Sequence, residues 1–141
     1  MKINLAIIGA GRIGKVHARA INNNPIANLV FIYDLDETSA KNFASEFNCM
    51  VSNIDSIKND SQIDAVVICS PTDTHIQLIN IFSSAKKAIF CEKPLDLDIA
   101  KVKNCLKVLK ENKTPFMIGF NRRFDPHFQS LKNSLKQGEI G

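Results

Sequence analysis

The sequence predicts an α/β fold in which a doubly wound, parallel β-sheet of about six strands is covered by helices on both faces. Two observations support this prediction. Short, almost wholly apolar runs recur along the chain, as expected for strands that are buried on both faces. Segments with a helical spacing of apolar residues alternate with these runs, and the connecting loops are short. The strand order expected for such a sheet is 3-2-1-4-5-6.

Composition and charge narrow the class of protein. The chain has 141 residues, 45% of them hydrophobic and 23% charged, which is typical of a globular protein with one domain core. The net charge of +4 is spread out, so nucleic acid is not predicted as a partner. No apolar run approaches the ~20 residues of a membrane helix, and no secretion signal is recognised. We therefore expect a cytoplasmic protein with no membrane partner. Four cysteines without zinc-ligand spacing indicate reduced thiols and no metal site: Cys49, Cys69, Cys91 and Cys105.

The first predicted strand covers residues 3–8 and leads directly into a glycine-rich turn, Gly9-Ala10-Gly11-Arg12-Ile13-Gly14. In a dinucleotide-binding turn of this spacing, the glycines permit a tight turn, close approach of a pyrophosphate and close packing of helix on strand. The backbone of Arg12 and Ile13 would open a helix that extends to about residue 23, and a phosphate can bind at its positive end. His17, on this helix, is predicted to be a surface or packing residue.

The second predicted strand covers residues 29–33 and ends at Asp34, 20 residues after Gly14. A dinucleotide-binding domain has an acid at this spacing, where it accepts hydrogen bonds from the ribose hydroxyls and repels a 2′-phosphate. Asp34 therefore favours NAD over NADP. The alternative is that Asp34 caps the next helix, over residues 37–47, for which Asp36 is a competing cap.

The middle of the chain predicts a short edge strand over residues 49–51, a short helix within 54–62, and a buried strand over 64–69. Thr72 or Asp73 is expected to cap a following helix over residues 75–84. Ligands of doubly wound sheets bind beyond the carboxyl ends of the strands. Three residues are therefore candidates to line the cofactor site, although capping alone would explain the second: Ser70, Thr72 and His75.

The fifth predicted strand, residues 88–91, ends in Glu92-Lys93-Pro94. Asp96 or Asp98 is expected to cap the following helix, which extends to about residue 112 with an apolar stripe of Ile99, Val102, Leu106 and Leu109. A sixth strand covers residues 116–119. A last helix begins at Asp125 as its cap and ends at Gly138.

Glu92-Lys93-Pro94 distinguishes nicotinamide-binding proteins from methyltransferases. Both classes have a glycine-rich turn after the first strand and an acidic residue after the second. A lysine after the fifth strand lies near the reactive end of a nicotinamide cofactor, whereas a methyltransferase has little use for it. The alternative for Lys93 is a surface lysine before a proline turn.

Together these residues resemble the Gfo/Idh/MocA family of nicotinamide-dependent sugar oxidoreductases, and within it the inositol 2-dehydrogenases. The resemblance rests on residues 9–14, Asp34, residues 70–75, residues 92–94 and residues 119–125. It implies that Lys93 is the catalytic lysine and contacts both cofactor and substrate. It also implies that Glu92 lies beside the nicotinamide ribose, and that Arg122 and Asp125 border the substrate pocket.

The resemblance also carries an expectation about domains. Residues 1–120 would be the NAD-binding Rossmann domain, and residues 121–141 a connecting segment and helix that lead to a second domain, absent from this chain. That domain supplies the base of the family's reaction, so the chain alone should bind NAD but turn over little or no polyol or sugar, myo-inositol being the expected substrate. Self-association through the face that the absent domain would cover is also expected. The alternative is a non-catalytic nucleotide-binding or interaction module.

Overall fold

The computed structural model describes residues 2–140, which form six parallel strands in one sheet with helices on both faces. The strands are β1 (Ile3–Ile8), β2 (Ala27–Tyr33), β3 (Met50–Val51), β4 (Ala65–Ile68), β5 (Ala88–Cys91) and β6 (Phe116–Ile118). The helices are α1 (Arg12–Asn22), α2 (Glu37–Phe47), α3 (Ile54–Asn59), α4 (Thr72–Ser84), α5 (Ile99–Glu111) and α6 (Pro126–Gln137), with a 3₁₀ turn at Asn121–Arg123. The order β3-β2-β1-β4-β5-β6 confirms the predicted fold class.

Alternation along the central strands divides the interior into two cores. Ala6 and Ile8 of β1 pack in the core that α3, α4 and α5 cover, while Ile7 packs in the core of α1 and α2. Because successive side chains of a strand point to opposite faces, an unbroken apolar strand supplies both cores at once. No helix among residues 2–140 is both long and apolar enough to cross a membrane.

The strand order changes direction at β1. β2 and β4 both pair with β1, one on each side, so the connections after β1 and β4 leave the carboxyl edge of the sheet in opposite directions. A crevice opens between such diverging connections, and this is where ligands bind in doubly wound sheets.

Three helices have N-caps that the sequence predicts as candidates, and two of these caps decide between the alternatives left open for α2 and α5. Asp36 is the N-cap of α2, accepting hydrogen bonds from the backbone of Thr38 and the hydroxyl of Ser39. Asp98, rather than Asp96, caps α5. Asp125 caps α6 as predicted.

The start of α4 was predicted wrongly. The helix begins at Thr72, three residues before the predicted start, with Pro71 as its N-cap, so Thr72 and Asp73 lie in the first turn instead of capping it. The carbonyl of Pro71 accepts hydrogen bonds from both the backbone N–H and the hydroxyl of Thr74, which closes this early turn.

The predicted apolar stripe of α5 is also partly wrong. Ile99 is 67% exposed and Leu106 47% exposed, whereas Cys105 and Leu109 are buried. Residues 105 and 109 are one helical turn apart and face the sheet together, and Leu106 lies about 100° further around the helix. The four cysteines are free thiols, and Cys69, Cys91 and Cys105 are buried.

The last helix differs from the others. α6 buries none of its residues, and the apolar side chains of Phe128, Leu131 and Leu135 are 41%, 48% and 51% exposed. It packs against the 3₁₀ turn that precedes it. An apolar stripe of this kind normally faces a core.

Candidate cofactor-binding site

A cleft of about 1280 Å³ opens at the carboxyl edge of the sheet, where the connections after β1 and β4 diverge. Its lining includes six of the residues predicted from the sequence to bind the cofactor: Gly9, Gly11, Arg12, Ile13, Asp34 and Ser70. The volume is large enough for an extended ligand of dinucleotide size.

The three glycines of the turn differ in what surrounds them. Gly9 has a φ of +110°, and a Cβ there would lie 2.7 Å from the carbonyl carbon of Cys69. At Gly14 a Cβ would collide with the carbonyl oxygen of Gly9. At Gly11, in contrast, a Cβ would meet no atom within 4 Å. The first and third glycines are therefore required for packing, whereas the second leaves open space beside the cleft.

The open side of Gly11 coincides with the beginning of α1. Gly11 is the N-cap of this helix, with φ −69° and ψ −175°, and it has no side chain to cap the first turn. Its carbonyl accepts the hydrogen bond of Lys15, so the helix is regular from its start. The N–H groups and positive dipole end of a helix favour an anion. The space in front of Gly11 thus fits the pyrophosphate of a dinucleotide.

The Asp34 carboxylate is oriented by two backbone N–H groups. Oδ2 accepts a hydrogen bond from Ala10 at 2.7 Å, and Oδ1 accepts one from Asp36 at 2.9 Å. Since Asp36 caps α2, the capping alternative for Asp34 does not hold. Each carboxylate oxygen has a second lone pair for a ligand hydroxyl. Asp34 therefore connects the glycine turn to β2 and can still bind a ribose.

The three candidates after β4 have different positions. Ser70 lines the cleft, and its hydroxyl lies 2.6 Å from that of Thr74, which also lines it. Thr72, in the first turn of α4, is half-buried and outside the described lining. His75 is 1% exposed and does not reach the cleft surface.

His75 lies beneath the site instead of in it. Its Nδ1 is 2.8 Å from the carbonyl oxygen of Pro94, and its Nε2 is 2.9 Å from that of Ser70. The direct cofactor contact predicted for His75 is therefore inconsistent with its burial, and its ring connects the loop after β4 to the loop after β5. The helical row that it forms with Leu78, Ile79 and Phe82 was the sequence signal for a buried position.

The turn after β5 carries Glu92, Lys93 and Pro94. The backbone N–H of Glu92 bonds the carbonyl of Ile68, which fixes the turn beside β4, and the Lys93–Pro94 peptide bond is cis. Lys93 is exposed at the same edge of the sheet as the cleft. Neither Glu92 nor Lys93 is among the cleft lining, so their contacts with a cofactor stay predictions.

The Glu92 side chain faces a second, smaller pocket of about 210 Å³, lined by aromatic residues of β5 and the segment after β6. Here His17, for which no site role was predicted, lies 2.8 Å from Glu92 through Nε2 and Oε1. Its ring also packs edge-on against Phe90, with 4.9 Å between ring centroids. The spacing of 75 residues between His17 and Glu92 gave no local sequence signal for this contact.

The predicted substrate residues follow β6 at the same edge. The guanidinium carbon of Arg122 lies 4.5 Å from the ring centroid of Phe128, an arrangement that fits a cation–π contact. Asp125 accepts hydrogen bonds from the backbone of His127 and Phe128 as the α6 cap. Their contacts with a substrate stay predictions.

Two findings bear on other chemistry at the cleft. Burial raises the pKa of Cys69, on the cleft wall, well above the ordinary range of a thiol, and the charge of Glu92 raises it further. Cys69 is therefore a neutral thiol at physiological pH. Within the described part of the chain, residues 2–140, no group of three or more His, Cys, Asp or Glu side chains could hold a metal ion.

The fold, the glycine turn and the position of Asp34 define a dinucleotide-binding domain of the Rossmann class. A family model described as an oxidoreductase family with an NAD-binding Rossmann fold matches residues 3–120. The chain belongs to this family, Gfo/Idh/MocA, and its cofactor is NAD.

Known proteins that resemble the chain include several inositol dehydrogenases. It is 50% identical, over its full length, to the inositol 2-dehydrogenase of Rhizobium meliloti (strain 1021). The crystal structure of scyllo-inositol dehydrogenase from Lactobacillus casei, with bound NAD(H) and scyllo-inositol, superposes with a TM-score of 0.90 at 32% identity and covers 100% of this chain. The myo-inositol dehydrogenase of Corynebacterium glutamicum ATCC 13032 superposes with a TM-score of 0.88 at 38% identity and also covers 100% of this chain. The chain spans 43% of the length of each of these three proteins.

Proposed function

We propose that this chain is the cofactor-binding part of an NAD-dependent dehydrogenase that oxidises a carbinol of a polyol or sugar, with myo-inositol as the substrate. The observation that carries the proposal is that Gly11, Asp34 and Lys93 all lie at one edge of the sheet, in a chain that belongs to an NAD-binding oxidoreductase family. The similarity to inositol dehydrogenases supports the substrate class.

The cleft supports a defined orientation of the dinucleotide. The first turn of α1 would bind the pyrophosphate through its N–H groups, where Gly11 leaves room for a close approach. Asp34 would accept hydrogen bonds from the adenosine ribose. Asp36 lines the cleft beside Asp34, so a 2′-phosphate would meet two carboxylates there. This arrangement favours NAD over NADP.

The residues after β5 and β6 would act on the substrate. NAD, when bound, supplies the acceptor for the hydride that leaves the carbinol carbon. The exposed ammonium group of Lys93 would hold the substrate hydroxyl and stabilise negative charge on its oxygen as the proton is removed. Arg122 and Asp125 would border the bound polyol, and Glu92 would lie beside the nicotinamide ribose.

We also propose that residues 1–120 form the NAD-binding domain and that residues 121–141 connect it to a further domain. Two observations support this division. The family match covers residues 3–120, and the chain spans 43% of the length of its relatives. In addition, the exposed apolar stripe of α6 is suited to packing against another part of a longer protein.

Isothermal titration calorimetry with NAD and NADP tests the cofactor part of the proposal. The chain should bind NAD, and it should bind NADP at least about tenfold more weakly. The reason is that repulsion between the 2′-phosphate and the two carboxylates should cost about 1.4 kcal/mol or more. Equal or tighter binding of NADP would contradict the orientation proposed for Asp34.

The catalytic part is tested by NAD reduction in the presence of myo-inositol, scyllo-inositol or glucose. We expect little or no turnover by the 141-residue chain, because the family's proton acceptor would come from the further domain. Adding the corresponding carboxyl-terminal part of an inositol dehydrogenase in trans should raise the rate, and Lys93→Ala should abolish that gain. If the chain binds NAD but no such complementation occurs, the chain is better described as a nucleotide-binding interaction module.

A further inference from the structure

The His17–Glu92 pair joins the glycine turn and its helix to the turn that carries Lys93. The proposed reaction requires these two turns to keep a fixed position relative to each other. Nε2 of His17 lies 2.8 Å from Oε1 of Glu92, and the two side chains are only 23% and 15% exposed. His17 belongs to α1, whose first three residues are also the last three of the glycine turn, and Glu92 immediately precedes Lys93. The pair is thus a direct connection between the cofactor-binding turn and the turn that carries the proposed catalytic lysine.

The Glu92 carboxylate is confined on its other sides as well. Oε2 lies 3.3 Å from the backbone nitrogen of Lys93, which donates to it. A Cβ at Gly119 would come within 3.1 Å of three carboxyl atoms of Glu92, so the absence of a side chain there makes room for the carboxylate. Each oxygen of Glu92 therefore has a partner, one on α1 and one on its own turn.

The histidine ring is itself fixed. It packs edge-on against Phe90, two residues before Glu92 on β5, at 4.9 Å between centroids. A carboxylate only accepts hydrogen bonds, so Nε2 must carry a hydrogen for this contact to form. Hydrogen bonds to an ionised partner are stronger than neutral ones. The ring packing sets the position of Nε2, and Nε2 in turn holds one rotamer of Glu92.

From this geometry we propose that His17 is a positioning residue: it orients Glu92, and through Glu92 it holds the backbone of Lys93 in register with the glycine turn. The inference rests on the proposed function, because that function requires Lys93 to keep a fixed position relative to the glycine turn. His75 supports the same turn from below through the Pro94 carbonyl, so the turn is held from both faces of the sheet.

Two variants of His17 separate positioning from simple packing. His17→Gln can keep a side-chain N–H donor for Glu92 but loses the ring, and His17→Phe keeps a ring against Phe90 but loses the donor. Glu92→Gln removes the acceptor's charge at constant shape. The matched control is His127→Phe, because His127 is an exposed histidine on α6. Urea unfolding of each variant establishes that it is folded before its binding is measured.

The first measurement is nitrogen-15 NMR of the histidine rings and the Lys93 amide in the 141-residue chain, without cofactor. We expect the His17 hydrogen on Nε2, and a shift of that signal in Glu92→Gln while the His127 signals stay unchanged. The Lys93 amide should shift in His17→Phe, and the shifts of His17→Phe and Glu92→Gln should be non-additive in the double variant. A His17 ring that carries its hydrogen on Nδ1 alone, or does not respond to Glu92→Gln, would overturn the proposal.

The second measurement is a fluorescence titration with NADH. His17→Phe should bind NADH about tenfold more weakly, whereas His17→Gln and His127→Phe should stay within about threefold of the unchanged chain. Unchanged affinity in His17→Phe would show that the pair forms without positioning the site, and the inference would fail. If the unchanged chain binds no NADH, the proposed function fails instead, and the NMR measurement alone decides whether His17 holds Glu92 and Lys93.

Discussion

Replacing Gly11 by alanine should separate cofactor binding from folding. Gly11 has φ −69° and ψ −175°, a conformation that alanine adopts without strain, and a Cβ there meets no atom within 4 Å. Alanine reduces the freedom of the unfolded chain, which stabilises by about 0.4–1 kcal/mol. It is also a poorer N-cap than glycine, by about 0.5–1 kcal/mol, which offsets this gain. The free energy of unfolding should therefore change by less than about 1 kcal/mol.

The effect on NAD should be much larger. The open space beside Gly11 is where the proposed pyrophosphate approaches the backbone, and a hydrogen bond there requires about 2.9 Å between nitrogen and oxygen. A methyl group keeps a phosphate oxygen further away and weakens at least one charge-assisted bond, worth about 1.5–3 kcal/mol. We therefore expect NAD to bind about 10- to 100-fold more weakly.

Calorimetry with NAD and urea unfolding of the same samples provide the test, with Gly138→Ala as the control. Gly138 ends α6 with φ +74°, and a Cβ there also meets no atom within 4 Å. Alanine in this left-handed conformation costs about 1–2 kcal/mol, which should weaken α6 locally. Because α6 buries none of its residues, the urea unfolding of the sheet and the NAD affinity of this control should both stay unchanged. A stable Gly11→Ala variant with unchanged NAD affinity would refute the proposed position of the pyrophosphate.

Three further perturbations test the Asp34 carboxylate, the His75 ring and the buried thiol of Cys91. Asp34→Ala removes the acceptor for the Ala10 N–H and the proposed ribose contact, so the ratio of NAD to NADP affinity should fall at least about tenfold in calorimetry; an unchanged ratio would contradict the role of Asp34. His75→Leu removes the buried ring that lies within hydrogen-bonding distance of the carbonyls of Ser70 and Pro94, and urea unfolding should show a loss of about 1–3 kcal/mol, whereas a neutral result would contradict the bridging role. Burial raises the pKa of Cys91 to about 12, so it stays a thiol in the folded state while the unfolded chain ionises from about pH 8.5. The contribution of this thiol to the free energy of unfolding is therefore fully present below about pH 8.5 and is lost between there and about pH 12, by up to ~1.4 kcal/mol per pH unit. Under reducing conditions, the free energy of unfolding of Cys91→Ala should fall less steeply over this pH range, and an identical slope would refute the prediction.

Local patterns were sufficient to predict the fold and much of the cleft. Apolar runs such as residues 3–8 are recognisable because both faces of a central strand are buried. The glycines from Gly9 to Gly14 lie within six consecutive residues, and Asp34 follows at the distance that such a turn predicts. These features depend on contacts within one β-α-β unit, so the sequence contains the whole signal.

Apart from the start of α4, which the local contact of Thr74 with the Pro71 carbonyl explains, the errors and omissions involve contacts between distant segments. His75 was assigned to the cleft because it follows β4, but the carbonyl of Pro94, 19 residues later, holds it beneath the surface. The contact of His17 with Glu92 joins segments 75 residues apart, and its geometry depends on how α1 crosses the sheet. On α5, the rotation of the helix against the sheet decides that Cys105, and not Leu106, is buried.

The exposed position of α6 has a consequence for local unfolding. A helix of 12 residues is marginal in water unless a packed face stabilises it, and α6 buries none of its residues. Its amide hydrogens should exchange with solvent orders of magnitude faster than those of β1 and β4, even under conditions where the sheet stays fully folded. Measured hydrogen exchange would then report a protein with two separate stabilities, and any partner that covers Phe128, Leu131 and Leu135 would be recognised by the slowing of exchange in this helix alone.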